Sequence, residues 1–326
     1  MLKDNEKGRN NSVFASKLKE HLSSKRSDFD LEAFLINNDL QLYAPYVSEN
    51  FNDSELPLTI TWHDGVDESG VTEGLVLRDN EGGRINQAVL VDDSYAYSNP
   101  TYVLMPIEDP CFIDDIDGEF CGGTGGGNTG GGGGVTYTPR DIDCRAIESS
   151  DILRVQMPEF RLTDNTRSWP YRNYLYLWAI TGSFTRDSNG FVNASPNVNE
   201  LWWLKEVSRS NAKDKKWLSS GISFVESNWK EEEVELRIAV AHKKSSNDFT
   251  LKGTVKISTD GDETDSEQST GYELSKIDKA QSMFNVGFDR CSTLASITSD
   301  EGYGLRDGHQ IFHFGKMEFY LKHVIQ

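Results

Sequence analysis

His309 and His313 lie four residues apart, with Asp307 just upstream and Glu318 just downstream. On a helix or on a strand that spacing puts both imidazoles on one face. Imidazole is a common metal ligand and titrates near neutral pH. The pair is therefore a candidate for a metal-dependent hydrolase, with Asp307 or Glu318 completing the site. The zinc-protease pattern His-Glu-x-x-His is not met, because Gln310 stands at its second position.

A second candidate is the run Asp260-Gly261-Asp262-Glu263-Thr264-Asp265-Ser266-Glu267, which places five carboxylates between two strand signals. Calcium takes about six to eight oxygen ligands from such donors. Asp260, Asp262 and Asp265 are accordingly candidate Ca2+ ligands, the alternative being a solvated hairpin loop whose charges protect a sheet edge. Asp114-Asp115-Ile116-Asp117-Gly118 is not an EF-hand. Aligning Gly118 to the glycine of that loop puts Ile113 at the first ligand position and Thr124 at the last.

Trp202, Trp203, Trp217 and Trp229 fall in a stretch otherwise rich in Lys, Glu and Ser. Exposed tryptophan stacks on sugar rings or partner proteins, so Trp202 and Trp203 are candidate ligand-binding residues, against the commoner use of tryptophan in cores. Neither His63-Asp64-Gly65 nor Cys291 sits in a nucleophile motif. No residue is assigned a catalytic role on sequence alone.

Charge is distributed unevenly along the chain. Residues 1–27 carry seven basic and three acidic side chains, whereas 28–121 carry 21 acidic ones and only Arg78 and Arg84 as cations. So acidic a body repels phosphate backbones and anionic membranes, which makes nucleic acid a poor partner and cations or basic proteins better ones, the alternative being a charge that serves solubility alone. No apolar run is long enough for a membrane-spanning helix.

The four cysteines form no C-x-x-C pair, so thiol ligation of zinc is not expected. Cys111 and Cys121 bracket a turn-rich segment. A bridge between them would constrain the unfolded chain by about 2.5–3 kcal/mol, and the pair stands open between bridge and free thiols.

The elements that must position these groups are mostly strands. Val13, Phe14, Leu18 and Leu22 recur at helix spacing, and Ser27 to Asp30 caps a second helix over Leu31-Glu32-Ala33-Phe34-Leu35-Ile36. From Leu40 the period shortens to two. Val71 to Leu77 and Ile85 to Val91 flank a turn-forming Asp79-Asn80-Glu81-Gly82-Gly83, and a further strand covers Thr101 to Met105. These predict a small α+β domain over 28–121, short helices on an antiparallel sheet. Gly122 to Gly134 holds ten glycines in thirteen residues and reads as a linker. Beyond it, alternation over 234–240, 251–257 and 310–325 predicts a β-sandwich over 135–326, with Tyr174 to Ile180 apolar on both faces. Leu201 to Val207 reads equally as helix or strand. The fold class expected is mainly β, with two bodies separable by cleavage in the glycine stretch.

The run Leu40-Gln41-Leu42-Tyr43-Ala44-Pro45-Tyr46 follows Phe34-Leu35 and precedes Leu58-Thr59-Ile60 and Asn99-Pro100-Thr101-Tyr102-Val103-Leu104-Met105-Pro106-Ile107-Glu108-Asp109. This order resembles a loosely defined group of secreted or lipid-anchored proteins of unassigned function, best known from Bacteroidota, in which a glycine-rich spacer follows. The resemblance implies export and surface exposure. It brings no catalytic residues, and the start Met1-Leu2-Lys3-Asp4 carries no apolar signal segment.

The expectation is a non-enzymatic binding protein, secreted or at the cell surface, with a protein or glycan ligand. The alternatives are the metal-dependent hydrolase, a toxin or effector addressed by its basic arm, and a cytoplasmic location.

Overall fold

The computed structural model describes residues 31–38, 40–46, 56–63, 69–78, 85–107, 142–148, 150–244, 249–259, 267–277, 280–296 and 302–326. The basic arm 1–27, the glycine stretch 122–134, Cys111, Cys121 and the candidate calcium ligands Asp260, Asp262 and Asp265 lie outside the described residues. The described residues are mainly β, as expected, with several antiparallel sheets, 56% of them in strands against 12% in helices. It divides into two compact units. The first comprises Met1–Phe112, Arg167–Arg172 and Ser208–Ser210, and the second comprises Ile113–Thr166, Asn173–Val207 and Asn211–Gln326.

In the first unit, helix α1 (Leu31–Asn37) is followed by strands β1 (Leu40–Tyr43), β2 (Leu58–Trp62), β3 (Val71–Arg78) and β4 (Ile85–Asp92), helix α2 (Asp93–Ser98) and strand β5 (Thr101–Pro106). β3 and β4 form the expected hairpin, with Val71 opposite Asp92. Asp92 caps α2 by accepting a bond from the Tyr95 amide at 2.8 Å. The sheet order is β1-β5-β2-β3-β4. It is mixed rather than purely antiparallel, because β2 and β5 run parallel. A parallel pair needs a long crossover, and β3, β4 and α2 supply it.

One face of this sheet packs Tyr43, Val91, Val103 and Met105 around Tyr46, Ala96, Trp169 and Tyr171. Trp169 arrives from far along the chain. Its ring stacks on Tyr46 at 6.5 Å, and its indole N–H donates to Thr72 Oγ1 at 3.3 Å. Arg209 fixes the 167–172 segment. It donates to Asp93 Oδ1 and to the carbonyls of Arg167, Ser168 and Tyr171, the last at 2.6 Å.

The second unit contains β6 (Leu153–Gln156), β7 (Glu159–Leu162), β8 (Asn173–Arg186), β9 (Val192–Val207), α3 (Arg209–Lys213, its first two residues belonging to the first unit), β10 (Leu218–Ser219), β11 (Glu235–Lys243), β12 (Phe249–Ser258), β13 (Glu267–Ile277), β14 (Ala280–Asp289), α4 (Arg290–Ala295), β15 (Leu305–Arg306), β16 (His309–Phe314), β17 (Met317–Tyr320) and β18 (Lys322–Ile325). A four-stranded sheet has the order β14-β11-β8-β9, and a five-stranded sheet the order β10-β7-β17-β16-β15. Alternate side chains of both enter one core. Leu175, Leu177, Leu236 and Ile238 come from the first sheet, and Phe160, Leu162, Met317 and Phe319 from the second. This is the packing that a two-sheet sandwich requires.

The opposite face of the four-stranded sheet is covered as well. Tyr176, Trp178, Ile180 and Ala239 pack with Val255, Tyr272 and Leu274 of the β12–β13 hairpin. The two-sided apolar run of β8 has this cause: its strand is buried from both sides. Gly182 marks the closest approach, where an added Cβ would lie 2.3 Å from Ile257 Cγ2. The ambiguous segment Leu201 to Val207 is strand, the end of β9.

A disulfide joins Cys144 to Cys291, tying the short 3-10 turn Cys144–Ala146 to α4. Among the described residues no helix is long and apolar enough to cross a membrane.

Candidate functional site: the polar face of the five-stranded sheet

The period of two divides the five-stranded sheet into two chemistries. Phe160, Leu162, Phe312, Phe314, Met317 and Phe319 turn toward the core, and the intervening residues Glu159, Arg161, His309, His313, Glu318 and Tyr320 lie on the other face. Register brings them side by side: Glu318 is paired with His313 on β16 and with Arg161 on β7.

These side chains form one connected network. Arg161 Nε donates to Glu318 Oε2 at 2.6 Å, and the other carboxylate oxygen lies 3.1 Å from His313 Nδ1. Tyr303 lies flat on His313, with ring centres 4.6 Å apart and planes within 17°. On the other side, the Arg161 and Arg306 guanidiniums stand 4.8 and 5.1 Å from the centre of the Trp217 ring. Each such cation over an indole contributes about 0.5–2 kcal/mol, depending on desolvation. Arg306 also donates through two nitrogens to Glu159 Oε2, at 3.0 and 2.8 Å. Tyr320 packs edge-on against Trp217, stacks on His309 and donates its hydroxyl to Asp307 at 2.9 Å.

Burial fixes several protonation states. The Tyr320 hydroxyl is pushed up by burial and by its bond to Asp307, so it remains a donor. His309 is held below the ordinary imidazole range by burial and by Lys322, against an opposing pull from Asp307. His313 keeps contact with solvent, its side chain 26% exposed, while Tyr303 is 57% exposed. The network thus presents an aromatic ring outward over a half-buried lattice of ion pairs.

Near this face, Trp229 sits between two buried titratable groups. Its ring stacks on His323 at 6.3 Å, and its indole N–H donates to the Glu233 carbonyl at 2.6 Å. Burial raises the Glu233 carboxyl to about 7, although Lys230 N–H and the Thr181 hydroxyl both donate to it. Burial, with a smaller contribution from His309, lowers His323 to about 3. The Glu233 pKa is raised on folding, so its stability contribution is full below the unfolded value of 4.5 and is lost as pH rises to about 7. His323 acts oppositely: its contribution is full above 6.5 and falls as pH drops toward 3. Glu233→Gln is therefore expected to remove stability loss between about pH 5 and about pH 7. Urea unfolding at both pH values measures it.

The predicted site residues fare differently. His309 and His313 do share one face, but on a strand, where four residues span about 13 Å. Zinc–nitrogen bonds are about 2.0–2.1 Å long, so the two rings cannot ligate one ion. Among the described residues no group of three or more His, Cys, Asp and Glu side chains could hold a metal. The pair is instead split, His313 to Glu318 and His309 to Tyr320.

Trp202 is not a ligand surface. It is 6% exposed in the core, packs on Phe160 at 4.6 Å and donates to the Ser220 carbonyl at 3.0 Å. Trp203 is part of β9. Arg161, Tyr303, Arg306 and Tyr320 carry no sequence motif, and Trp217 stood out only as one tryptophan among several. Only the alternation Glu159-Phe160-Arg161-Leu162 hinted at a charged face. No family model, curated protein or solved structure matches the chain, so the functional reading rests on this geometry.

Proposed function

We propose that this chain is a non-enzymatic, secreted or surface-associated binding protein, and that the polar face of the five-stranded sheet takes a glycan. The observation that carries the reading is Tyr303, exposed and laid flat on His313 above the Glu318–Arg161 pair. The C–H face of a sugar ring is apolar and stacks on such a ring, while its hydroxyls meet the surrounding charged donors and acceptors. The Cys144–Cys291 bridge supports an oxidising compartment outside the cytosol. Within the same reading, Asp260, Asp262 and Asp265, which fall between β12 and β13 in the sequence, are the Ca2+ ligands.

A glycan array followed by titration tests the proposal. Tyr303→Ala is expected to weaken binding about 3- to 10-fold, since an aromatic contact is worth roughly 0.5–1.5 kcal/mol. Absence of any glycan bound, or unchanged affinity in that variant, would count against it.

A hydrolase is the second reading, favoured by one contact. Glu318 holds His313 by Nδ1, the arrangement that orients an imidazole as a general base. Turnover of glycoside or ester test substrates that disappears in His313→Ala would support it. Metal analysis of protein purified without chelator separates a metal-dependent form from a metal-free one.

A further inference from the structure

The mixed sheet of the first unit is apolar on both faces: one carries the core of Tyr43, Val91, Val103 and Met105, and on the other Tyr102 is buried among Leu42, Leu58 and Ile60 while the β2–β4 side stays exposed. The register lines up the other face. Ile60 pairs with Leu75 on β3 and with Tyr102 on β5, and Trp62 pairs with Leu104. Glu73 pairs with Leu90 on β4. Trp62 is 52% exposed, Leu75 47% and Leu90 70%. Trp62 and Leu75, with Ile60, Val71, Ala88 and Leu104, line a concavity of about 670 Å³, and Leu90 stands exposed beside it, opposite Glu73. A sheet face this apolar must be buried against another element, and contiguous exposed patches of this kind mark interaction sites.

The charge at this face says what covers it. The Glu73 carboxylate lines the concavity among apolar side chains and makes no ion pair with a described residue. The surrounding sequence, residues 28–121, holds 21 acidic side chains and two basic ones. A second copy would bring the same negative charge against it, and anionic lipid or nucleic acid is repelled in the same way. A cationic partner gains both burial and charge.

We propose that this face is a docking site for a basic amphipathic segment of a partner protein. Apolar side chains at helix spacing fill the concavity at Trp62 and Leu75 and extend over the exposed Leu90, and a flanking Lys or Arg reaches Glu73. The mode is helix-in-groove recognition. The site is independent of the polar face on the five-stranded sheet.

The full chain is titrated with two synthetic peptides of about 18 residues, or five helical turns, with leucine at helix spacing and either lysine or glutamate at all other positions. Binding of the lysine peptide is expected, weakened at least about 10-fold by Trp62→Ala and by Leu90→Ser, with no binding of the glutamate twin. Glu73→Gln is expected to weaken it and to flatten its salt dependence. These side chains are exposed, and circular dichroism checks that each variant folds.

Equal binding of the two peptides, or unchanged affinity in the variants, overturns the proposal. So does self-association that Trp62→Ala abolishes, which would make a second copy the occupant. Binding to phosphatidylserine vesicles lost in the same variants would assign the face to a membrane, and also overturns it. Peptide binding that emerges only after deletion of residues 1–27 would assign the face to the chain's own basic arm, with the same consequence.

Discussion

Loss of the Cys144–Cys291 bridge is expected to lower the stability of the second unit by about 5 kcal/mol. The bridge spans 147 residues of sequence. In the chain-entropy model a closed loop of that length removes about 17 cal/mol/K from the unfolded ensemble, or roughly 5 kcal/mol at 25 °C. The bridge also holds the turn Cys144–Ala146 on α4, where the Ile142 amide donates to the Leu294 carbonyl at 3.0 Å and both side chains join the main core. A domain of this size loses about 2–4 °C per kcal/mol, so the double variant Cys144→Ala with Cys291→Ala should melt about 10–20 °C lower. Calorimetry with and without reductant measures the same quantity. An unchanged transition would mean that the two thiols do not constrain the fold.

Arg209→Ala is expected to cost the first unit about 3–5 kcal/mol, the range for breaking a buried charge pair by removing one partner. The Arg209 side chain is 2% exposed and is bonded to Asp93 and to three carbonyls of the segment 167–172. Asp93 also accepts from the Tyr46 hydroxyl at 2.7 Å, so its carboxylate would be left with part of its shell. The substitution removes the clamp on Trp169, and Trp169 is central to that core. Amide exchange in β4 and β5 is expected to accelerate by about two to three orders of magnitude, at 1.4 kcal/mol per tenfold. Lysine should restore only a fraction, because a point charge lacks the forked donors that reach several oxygens at once. A related consequence concerns cleavage in the glycine stretch 122–134. The N-terminal fragment would lack Trp169, Tyr171 and Arg209, so it is expected to remain bound to the C-terminal fragment rather than separate as a folded domain.

Local periodicity made much of this architecture legible. The β3–β4 hairpin, the alternation of β11, β12 and β16, and the two-sided apolarity of β8 are written in nearest-neighbour patterns, which reflect burial on one or both faces. Pairing between distant segments is not. The parallel contact of β2 with β5 depends on the crossover between them. The capture of Trp169 and Arg209 by a sheet far upstream leaves no periodic trace. Four cysteines allow three pairings, so Cys144–Cys291 could not be read from spacing. The functional face shows the same division. His309 and His313 were identifiable by type, but their separation along a strand, and the partners Glu318 and Arg161 that give them roles, follow from a register linking residues 157 apart. Tryptophan number likewise did not reveal that Trp202 faces the core and that Trp217 meets two guanidiniums.

Hydrogen exchange with and without the tightest ligand from the glycan array tests the central claim most directly. Bound glycan is expected to protect the backbone of β16 and β17 and the segment 302–306 that carries Tyr303, with protection lost in Tyr303→Ala. Protection confined to other segments, or undiminished in that variant, would contradict the assignment of this face as the ligand surface.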